Sequence, residues 1–161
     1  SRNDPHHKNN VLNILPKNLR KGLYPAGRLD INSRGALILT NNGELTFRIT
    51  HPKFLHTKTY HVLITGKPSQ AALKEWREGL ILDGKLTMKA EVKVIRSHDQ
   101  KSLIKVVLKE GRNRQIRRIV QLLGHKVIDL QRTAIGSLQL NGLPEGGWRE
   151  LEESEWLTIL K

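Results

Sequence analysis

Two runs rich in valine and isoleucine, residues 87–96 and 102–109, lie on either side of a short polar turn. Branched side chains pack well on a pleated surface, so the pair predicts two neighbouring strands. Further strand-length runs occur at residues 36–40, 60–65, 126–130 and 134–140. Helical patterns are inserted among these runs without regular alternation, which favours an α+β fold with a mixed, mostly antiparallel sheet.

Several segments between the strands carry helix signals. Ser69 can cap a helix that ends at Gly79. A second helix is expected over residues 113–123, because four of its apolar residues recur at the spacing of one helix face. Residues 44–50 fit either a strand or a helical turn, and residues 10–15 predict a short helix or turn.

The charge balance limits the choice of partner. The chain has 161 residues and 28 Lys and Arg against 15 Asp and Glu, a net charge of +13, which predicts an anionic partner and favours nucleic acid. There is no cysteine for a disulfide or a cysteine-based zinc site, and no apolar run long enough to span a bilayer. Aromatic residues make up only 4%, so we expect binding through backbone charge and shape, with few stacking contacts.

Four arginines fall within seven residues, namely Arg112, Arg114, Arg117 and Arg118. On the helix expected here, Arg114 and Arg118 lie opposite the apolar stripe, and Arg117 lies at its border. Any one of them is more simply an ordinary solvated side chain. Four together after Gly111, at a helix N-terminus that carries partial positive charge, favour a site for an anionic ligand.

Asp30 is the only acidic residue between Asp4 and Glu44, and many cations flank it. A carboxylate repels the phosphates that such a surface attracts, so its presence needs a reason. One reason is chemistry, because a carboxylate can act as a nucleophile or a base on a bound substrate. The other is a turn or cap residue paired with Arg28 or Arg34, and spacing alone favours this second interpretation.

Three ordered motifs resemble those of one enzyme family. Residues 27–30 (GRLD), followed by residues 37–45 (LILTNNGEL), resemble the catalytic motif of pseudouridine synthases. Residues 58–62 (KTYHV) resemble the second motif and residues 110–118 (EGRNRQIRR) the third. The chain is similar to the RsuA/RluB/RluE/RluF branch over nearly all its length, and three motifs in order are far more specific than GRLD alone.

The resemblance implies an enzyme that isomerises a specific uridine to pseudouridine in ribosomal RNA, with large-subunit RNA favoured. The N1–C1′ bond breaks, the uracil turns, and C5 bonds to C1′, without a cofactor or a metal. By resemblance Asp30 is the catalytic carboxylate, which either adds to the sugar or removes a sugar proton to give a glycal. Arg117 resembles the arginine that pairs with this aspartate. Tyr60 resembles the tyrosine that packs against the target base, although a tyrosine on a strand is usually core.

The resemblance also implies which side chains contact ribosomal RNA. Arg28 is similar to the arginine that helps displace the target nucleotide, in keeping with enzymes that act on an extruded base. The expected RNA-binding residues are Arg28, Lys58, Arg112, Arg114 and Arg118. Ribosomal RNA is therefore the expected partner, with no membrane and no small-molecule cofactor.

The family fold is a bent, mixed, mostly antiparallel β-sheet flanked by helices. Residues 1–161 are expected to be the catalytic domain without an N-terminal S4-type domain or the first strand, since residues 1–16 already match the segment after that strand. We expect a monomer in the cytoplasm, or in an organellar stroma if the source bears plastids. The alternative function, which rests on charge alone, is a non-catalytic basic RNA-binding or ribosome-assembly module. DNA binding ranks third, because no groove-reading helix stands out.

Overall fold

Strands and helices are interspersed along residues 11–161, the part of the chain that the computed structural model describes. The strands are β1 (Tyr24–Ala26), β2 (Arg34–Gly35), β3 (Ile38–Thr40), β4 (Lys58–Thr65), β5 (Ile81–Leu82), β6 (Lys85–Leu86), β7 (Glu91–Ser97), β8 (Lys101–Leu108), β9 (Val127–Ile135) and β10 (Leu138–Gln139). The α-helices are α1 (Gly43–Thr50), α2 (Gln70–Glu78), α3 (Gln115–Leu122) and α4 (Glu153–Leu160). Short 3-10 turns occupy Val11–Ile14, Lys17–Leu19 and Pro52–Phe54. The α+β prediction is confirmed, while the expectation for residues 1–16 lies partly outside the described residues.

The main sheet has the order β10-β9-β4-β8-β7, and every pair along this path is antiparallel. Strand β2 adds a short parallel pairing to β9, so the sheet is mixed and mostly antiparallel, as the sequence predicts. The two runs of valine and isoleucine form β7 and β8, with Glu91 opposite Val107. Alternate side chains of β8 are buried, which matches one half-buried face of an antiparallel sheet.

The closing strands differ from the prediction. The sequence predicts two strands, at residues 126–130 and 134–140, but β9 runs unbroken from Val127 to Ile135 and turns into the short β10. The polar residues between the two runs suggest a break. They continue the pairing with β4 instead, because Arg132 lies opposite Tyr60 in the ladder and its polar end finds partners on another segment.

The starts of helices α1 and α3 show how far the sequence patterns agree with the structure. Residues 44–50, which fit either a strand or a helix by sequence, form α1, because the Asn42 side chain accepts hydrogen bonds from the first free amides, at Glu44 and Leu45. The helix expected over residues 113–123 begins only at Gln115, since Arg114 adopts a left-handed backbone with φ 51°. Strands β1, β2, β5 and β6 and helix α4 were not predicted.

The buried apolar side chains form two separate cores. The large core packs α2 and α3 against the main sheet and contains Val62, Ile64, Leu73, Trp76, Val92, Ile104, Val106, Leu108, Ile116, Ile119, Val120 and Leu130. The small core joins β1, β3, α1, α4 and the end of β9, and contains Ala26, Ile38, Leu45, Ile49, Ile135, Leu138 and Ile159. None of the helices described in residues 11–161 has the length and apolar character to cross a membrane.

Candidate active site between the two cores

A cavity of about 440 Å³ opens where the two cores meet. Ala26 and Ile49 contribute apolar wall from the small core, and Ile116 and Leu130 contribute it from the large core. The charged residues of the lining are Asp30, Arg28, Lys58, Arg112, Arg114, Arg117 and Arg132. One acid among six cations, set between apolar walls, suits a ligand that carries both negative charge and apolar surface.

Asp30 lies on the loop between β1 and β2 and is partly buried. Its backbone carbonyl accepts a hydrogen bond from Ser33 N at 2.9 Å, so it does begin a turn. The expected pairing of its carboxylate with Arg28 or Arg34 is wrong. Arg34 instead donates to Asp129, at 3.0 and 2.8 Å. Within residues 11–161 the Asp30 carboxylate has no hydrogen-bond or ion-pair partner, which leaves it open to a ligand in the cavity.

Arg117 connects helix α3 to the loop that carries Asp30. Its Nη2 donates to Asn32 O at 2.6 Å and to Ser33 Oγ at 3.3 Å, so the direct pairing with Asp30 that the resemblance implies is absent between these two residues. Burial and the charge of Arg114 lower the pKa of Arg117, while the charge of Asp30 acts in the opposite direction. Arg117 therefore lies near Asp30 but is hydrogen-bonded to the turn beside it.

Lys58 and Tyr60 reach the cavity from β4, where side chains two residues apart point to the same side of the sheet. Tyr60 also packs against the large core, so it is both a core contact and part of the lining. Burial lowers the pKa of Lys58, and the charge of Arg132 lowers it further. A bound phosphate would reverse this effect by stabilising the charged amine.

Arg132 is the residue that sequence reasoning missed. Its side chain is 5% exposed, and its Nε and Nη2 donate to Ala36 O at 2.9 and 2.7 Å, while Nη1 reaches Arg28 O at 3.4 Å. One buried guanidinium thus holds both ends of the loop over residues 28–36. Leu130, Arg132 and Ala134 alternate on the buried side of β9. The sequence pattern predicts a break in this strand between residues 130 and 134, so it gives Arg132 no position on that side.

Gly35 is required for the docking of this loop against β9. Its φ is 122°, and a Cβ placed there would lie 2.1 Å from Arg132 O. Beside it, Arg34 and Asp129 form a bidentate pair in which the hydrogen bond from Arg34 lowers the pKa of Asp129. The close backbone contact at Gly35 and the ion pair of Arg34 with Asp129 therefore both hold the loop against β9.

The remaining arginines fall into two groups. Arg112 donates to the carbonyls of Leu82, Lys85 and Leu86 at 2.9, 3.0 and 2.6 Å, and so fastens the β5–β6 turn. Arg118 pairs with Asp83 at 2.6 Å and does not line the cavity. Both guanidiniums therefore already have protein partners. The assignment of Arg112 and Arg118 to RNA binding stays a prediction.

Arg28 and Arg114 behave differently, because both are exposed and both line the cavity. Within the described part of the chain, neither guanidinium donates to a protein group. They are therefore the arginines of the lining that can contact a ligand without first breaking an internal hydrogen bond.

Metal ligands are not gathered at this site. Across residues 11–161, no three His, Cys, Asp or Glu side chains come together in a way that could hold an ion. The ionisable groups that line the cavity are the carboxylate of Asp30, the phenol of Tyr60, the amine of Lys58 and the guanidiniums of the arginines named above.

Comparison with known proteins gives a consistent result. The family model described as RNA pseudouridylate synthase matches residues 2–122. The chain is 37% identical over 147 residues to an uncharacterized RNA pseudouridine synthase of Aquifex aeolicus (strain VF5), covering 91% of this chain and 59% of that protein. It is 39% identical over 141 residues to the ribosomal large subunit pseudouridine synthase B of Bacillus subtilis (strain 168), covering 86% and 58%.

Among solved structures, a crystal structure of pseudouridylate synthase superimposes with a TM-score of 0.84 at 31% identity, over 92% of this chain and 64% of that one. The chain therefore spans about three fifths of the length of these curated relatives.

Proposed function

The chain belongs to the RNA pseudouridylate synthase family, and on that premise we propose that it isomerises a uridine to pseudouridine in large-subunit ribosomal RNA. The observation that carries the proposal is Asp30, which among the described residues is the one acidic side chain in a cavity whose other charged residues are all cations. The relative from Bacillus subtilis is named for the large ribosomal subunit, which supports the choice of RNA. The three residues expected to act on the uridine, Asp30, Tyr60 and Arg117, line a single cavity of one chain, which supports our proposal of a monomer as the working unit.

The proposed reaction conserves all atoms of the nucleotide. The N1–C1′ bond breaks, the uracil turns within the cavity, and a C5–C1′ bond forms. The hydrogen on C5 leaves as a proton, and N1 of the product gains one. No oxidant, reductant or cofactor enters this balance, and the protein needs only to hold the base and to assist bond cleavage at the sugar.

Asp30 has two chemically distinct ways to assist. Its carboxylate either adds to C1′ as a nucleophile or removes a sugar proton to give a glycal. Both need a carboxylate that can reach the substrate, and the Asp30 side chain lines the cavity with no hydrogen-bond or ion-pair partner in the described residues. Both also need it held in place, which the contacts of Arg117 to Asn32 and Ser33 favour.

The other cavity residues suit different parts of the substrate. Arg28 and Arg114 are exposed and suit backbone phosphates, while the partly buried amine of Lys58 gains most from a phosphate close by. The phenol ring of Tyr60 offers a flat apolar surface with a polar end, which suits one extruded base.

The test uses large-subunit ribosomal RNA transcripts that carry tritium at uridine C5. The wild-type protein is expected to release the label into water, because C5 loses its hydrogen when it bonds to C1′. Asp30→Asn should slow release by about a thousandfold or more, the scale of losing a catalytic group. Asp99→Asn makes the same chemical change at an exposed position on the β7–β8 turn and should release the label at the wild-type rate.

Two results would contradict the proposal. Equal release by wild type and Asp30→Asn would show that this carboxylate is not catalytic. Salt-sensitive RNA binding without any release would instead favour a non-catalytic RNA-binding or ribosome-assembly module, for which the net charge of +13 is the supporting observation.

A further inference from the structure

The chain has only two phenylalanines, and they lie in contact with each other. The rings of Phe47 and Phe54 are in edge contact, with centroids 5.5 Å apart. Phe47 is 45% exposed, Phe54 is partly buried, and neither residue belongs to the large or the small core. Phenylalanine is normally among the most buried residues, so a pair outside both cores with one ring so exposed points to a binding role.

Two histidines extend this surface. The His51 ring lies 4.9 Å from that of Phe47, and the His56 ring stacks on Phe54 at 6.3 Å with an interplanar angle of 28°. The Nε2 atom of His56 is buried and has no hydrogen-bond partner in the described part of the chain. Phe47, His51, Phe54 and His56 are called the aromatic patch below.

Two cations lie against the same rings. The guanidinium of Arg48 is 4.8 Å from the centroid of Phe54, and the amine of Lys53 is 5.0 Å from Phe54 and 5.4 Å from Phe47. Aromatic rings that hold cations over their faces are complementary to a chain that alternates phosphates with unpaired bases, because the cations meet the phosphates and the rings meet the bases. An apolar protein surface would gain nothing from the two charges.

The aromatic patch is flanked along the chain by residues that line the cavity. Ile49 and Thr50 line the cavity and lie on α1 between Phe47 and His51. At the other end, Lys58 follows His56 by two residues and also lines the cavity. A strand of RNA whose target nucleotide enters the cavity would therefore pass its neighbouring nucleotides over the patch.

We propose that the aromatic patch stacks unpaired bases that flank the target uridine, an inference that rests on the proposed function. When one nucleotide leaves the stack, its neighbours lose a stacking partner, and the rings of Phe47 and Phe54 replace it. The low aromatic content predicts few stacking contacts, and the patch confines them to one place beside the cavity.

The experiment compares two probes, a ten-nucleotide single-stranded RNA of mixed sequence and the same strand in a blunt duplex, by fluorescence anisotropy. The double variant F47L/F54L keeps apolar volume and removes both aromatic faces. We expect it to bind the single strand about tenfold more weakly and the duplex as wild type does, because a duplex offers no free base faces. Trp148→Leu, at a residue 41% exposed outside the patch, is the matched control and should bind both probes like wild type.

Two further variants separate ring stacking from other effects. Phe54→Leu removes the aromatic face at residue 54, whereas Phe54→Trp keeps one. Phe54→Trp should therefore bind the single strand within about twofold of wild type, and more tightly than Phe54→Leu. Lys53→Gln should weaken binding of both probes and reduce the salt dependence by about one counterion, because its charge meets phosphate whether or not the bases are paired. Thermal unfolding of each variant checks that the fold is kept, as the exposure of Phe47 leads us to expect.

The proposal is overturned if F47L/F54L binds both probes like wild type, or weakens both equally. It is also overturned if sedimentation shows that the wild type is a dimer and this variant a monomer, because the patch would then be a contact between copies of the chain. Binding to these probes does not require turnover, so a wild-type protein that releases no tritium but shows the single-strand defect in F47L/F54L would contradict the proposed function and support the patch.

Discussion

The large and small cores are built from different kinds of element. The large core rests on β4, β7, β8 and β9, each seven to nine residues long, with two helices packed on them. The small core is assembled from strands of two or three residues and the short helices α1 and α4. Tyr60 and Arg117 enter the cavity from elements of the large core, whereas Asp30 sits on a loop that follows β1 of the small core.

The difference shows how a catalytic loop can be positioned without regular structure of its own. Three arginines make the docking contacts of the loop that carries Asp30. Arg117 donates to Asn32 and Arg132 donates to Ala36, while Arg34, on the loop itself, donates to Asp129. The partners are 85 to 96 residues apart along the chain. The position of Asp30 thus depends on hydrogen bonds from its loop to α3 and β9.

The largest expected effect on stability comes from Gly35→Ala. Its Cβ would lie 2.1 Å from Arg132 O, and its φ of 122° disfavours any side chain. Strain and overpacking together should lower the free energy of unfolding by about 3 kcal/mol or more. Urea unfolding measures the loss, and tritium release should fall with it because the loop of Asp30 leaves β9.

Gly84→Ala is the matched control for Gly35→Ala. Gly84 also has a positive φ, of 73°, but an added Cβ would meet nothing within 4 Å. Only backbone strain remains, which costs about 1–2 kcal/mol. Equal losses in the two variants would contradict the close approach of the loop to β9.

The next effect concerns Arg132. Replacing it with methionine leaves Ala36 O without its side-chain donors and should cost about 1–3 kcal/mol of stability. The turnover rate kcat should fall about a hundredfold, since small displacements of a reacting group are costly, while KM should change little. Steady-state tritium release over a range of RNA concentrations separates the two parameters.

Arg132→Lys distinguishes positioning from charge. Lysine keeps the positive charge but lacks the planar guanidinium whose separate N–H groups reach Ala36 O and Arg28 O at the same time. If Arg132 positions the loop, lysine should leave kcat low. Recovery of kcat by lysine, or a defect confined to KM, would mean that Arg132 acts through its charge on RNA.

The smallest effect is expected at the pair of Arg34 and Asp129, each with a side chain 41% exposed. Solvent screening limits such a pair to about 0.2–1 kcal/mol. Because Arg34 lowers the pKa of Asp129, the contribution is complete above the pKa of an unfolded aspartate, about 3.9, and is lost as the pH falls through the lower folded value.

Urea unfolding between pH 5 and pH 2 measures this contribution. Asp129→Asn should remove it and flatten that part of the stability profile, whereas Asp99→Asn at an exposed turn should leave the profile unchanged. A profile that is the same for wild type and Asp129→Asn would show that the pair adds nothing to loop docking.

Local patterns were sufficient for most of the large core. The valine and isoleucine runs predict β7 and β8, and the stripe containing Ile116 and Ile119 predicts α3. The motifs bring Asp30, Tyr60 and Arg117 to one cavity, although no sequence pattern shows that Arg117 hydrogen-bonds the turn rather than the carboxylate.

The misses have physical causes that lie outside any local window. The left-handed backbone of Arg114 shortens α3, and arginine gives no signal for that conformation. Arg112 and Arg132 are held by carbonyls distant in sequence, so their burial could not be read from composition. Strands β1 and β2 are three and two residues long, too short for a periodic pattern to emerge.

The most direct test of the catalytic role of Asp30 is to identify the product itself. A large-subunit ribosomal RNA transcript is incubated with the protein, digested to nucleosides, and separated by chromatography with mass detection. We expect wild type to convert a uridine into an isomer of identical mass, and Asp30→Asn to form none in the same time. Formation of the isomer at the wild-type rate by Asp30→Asn, or its absence with a wild-type protein that binds the transcript, would contradict this role.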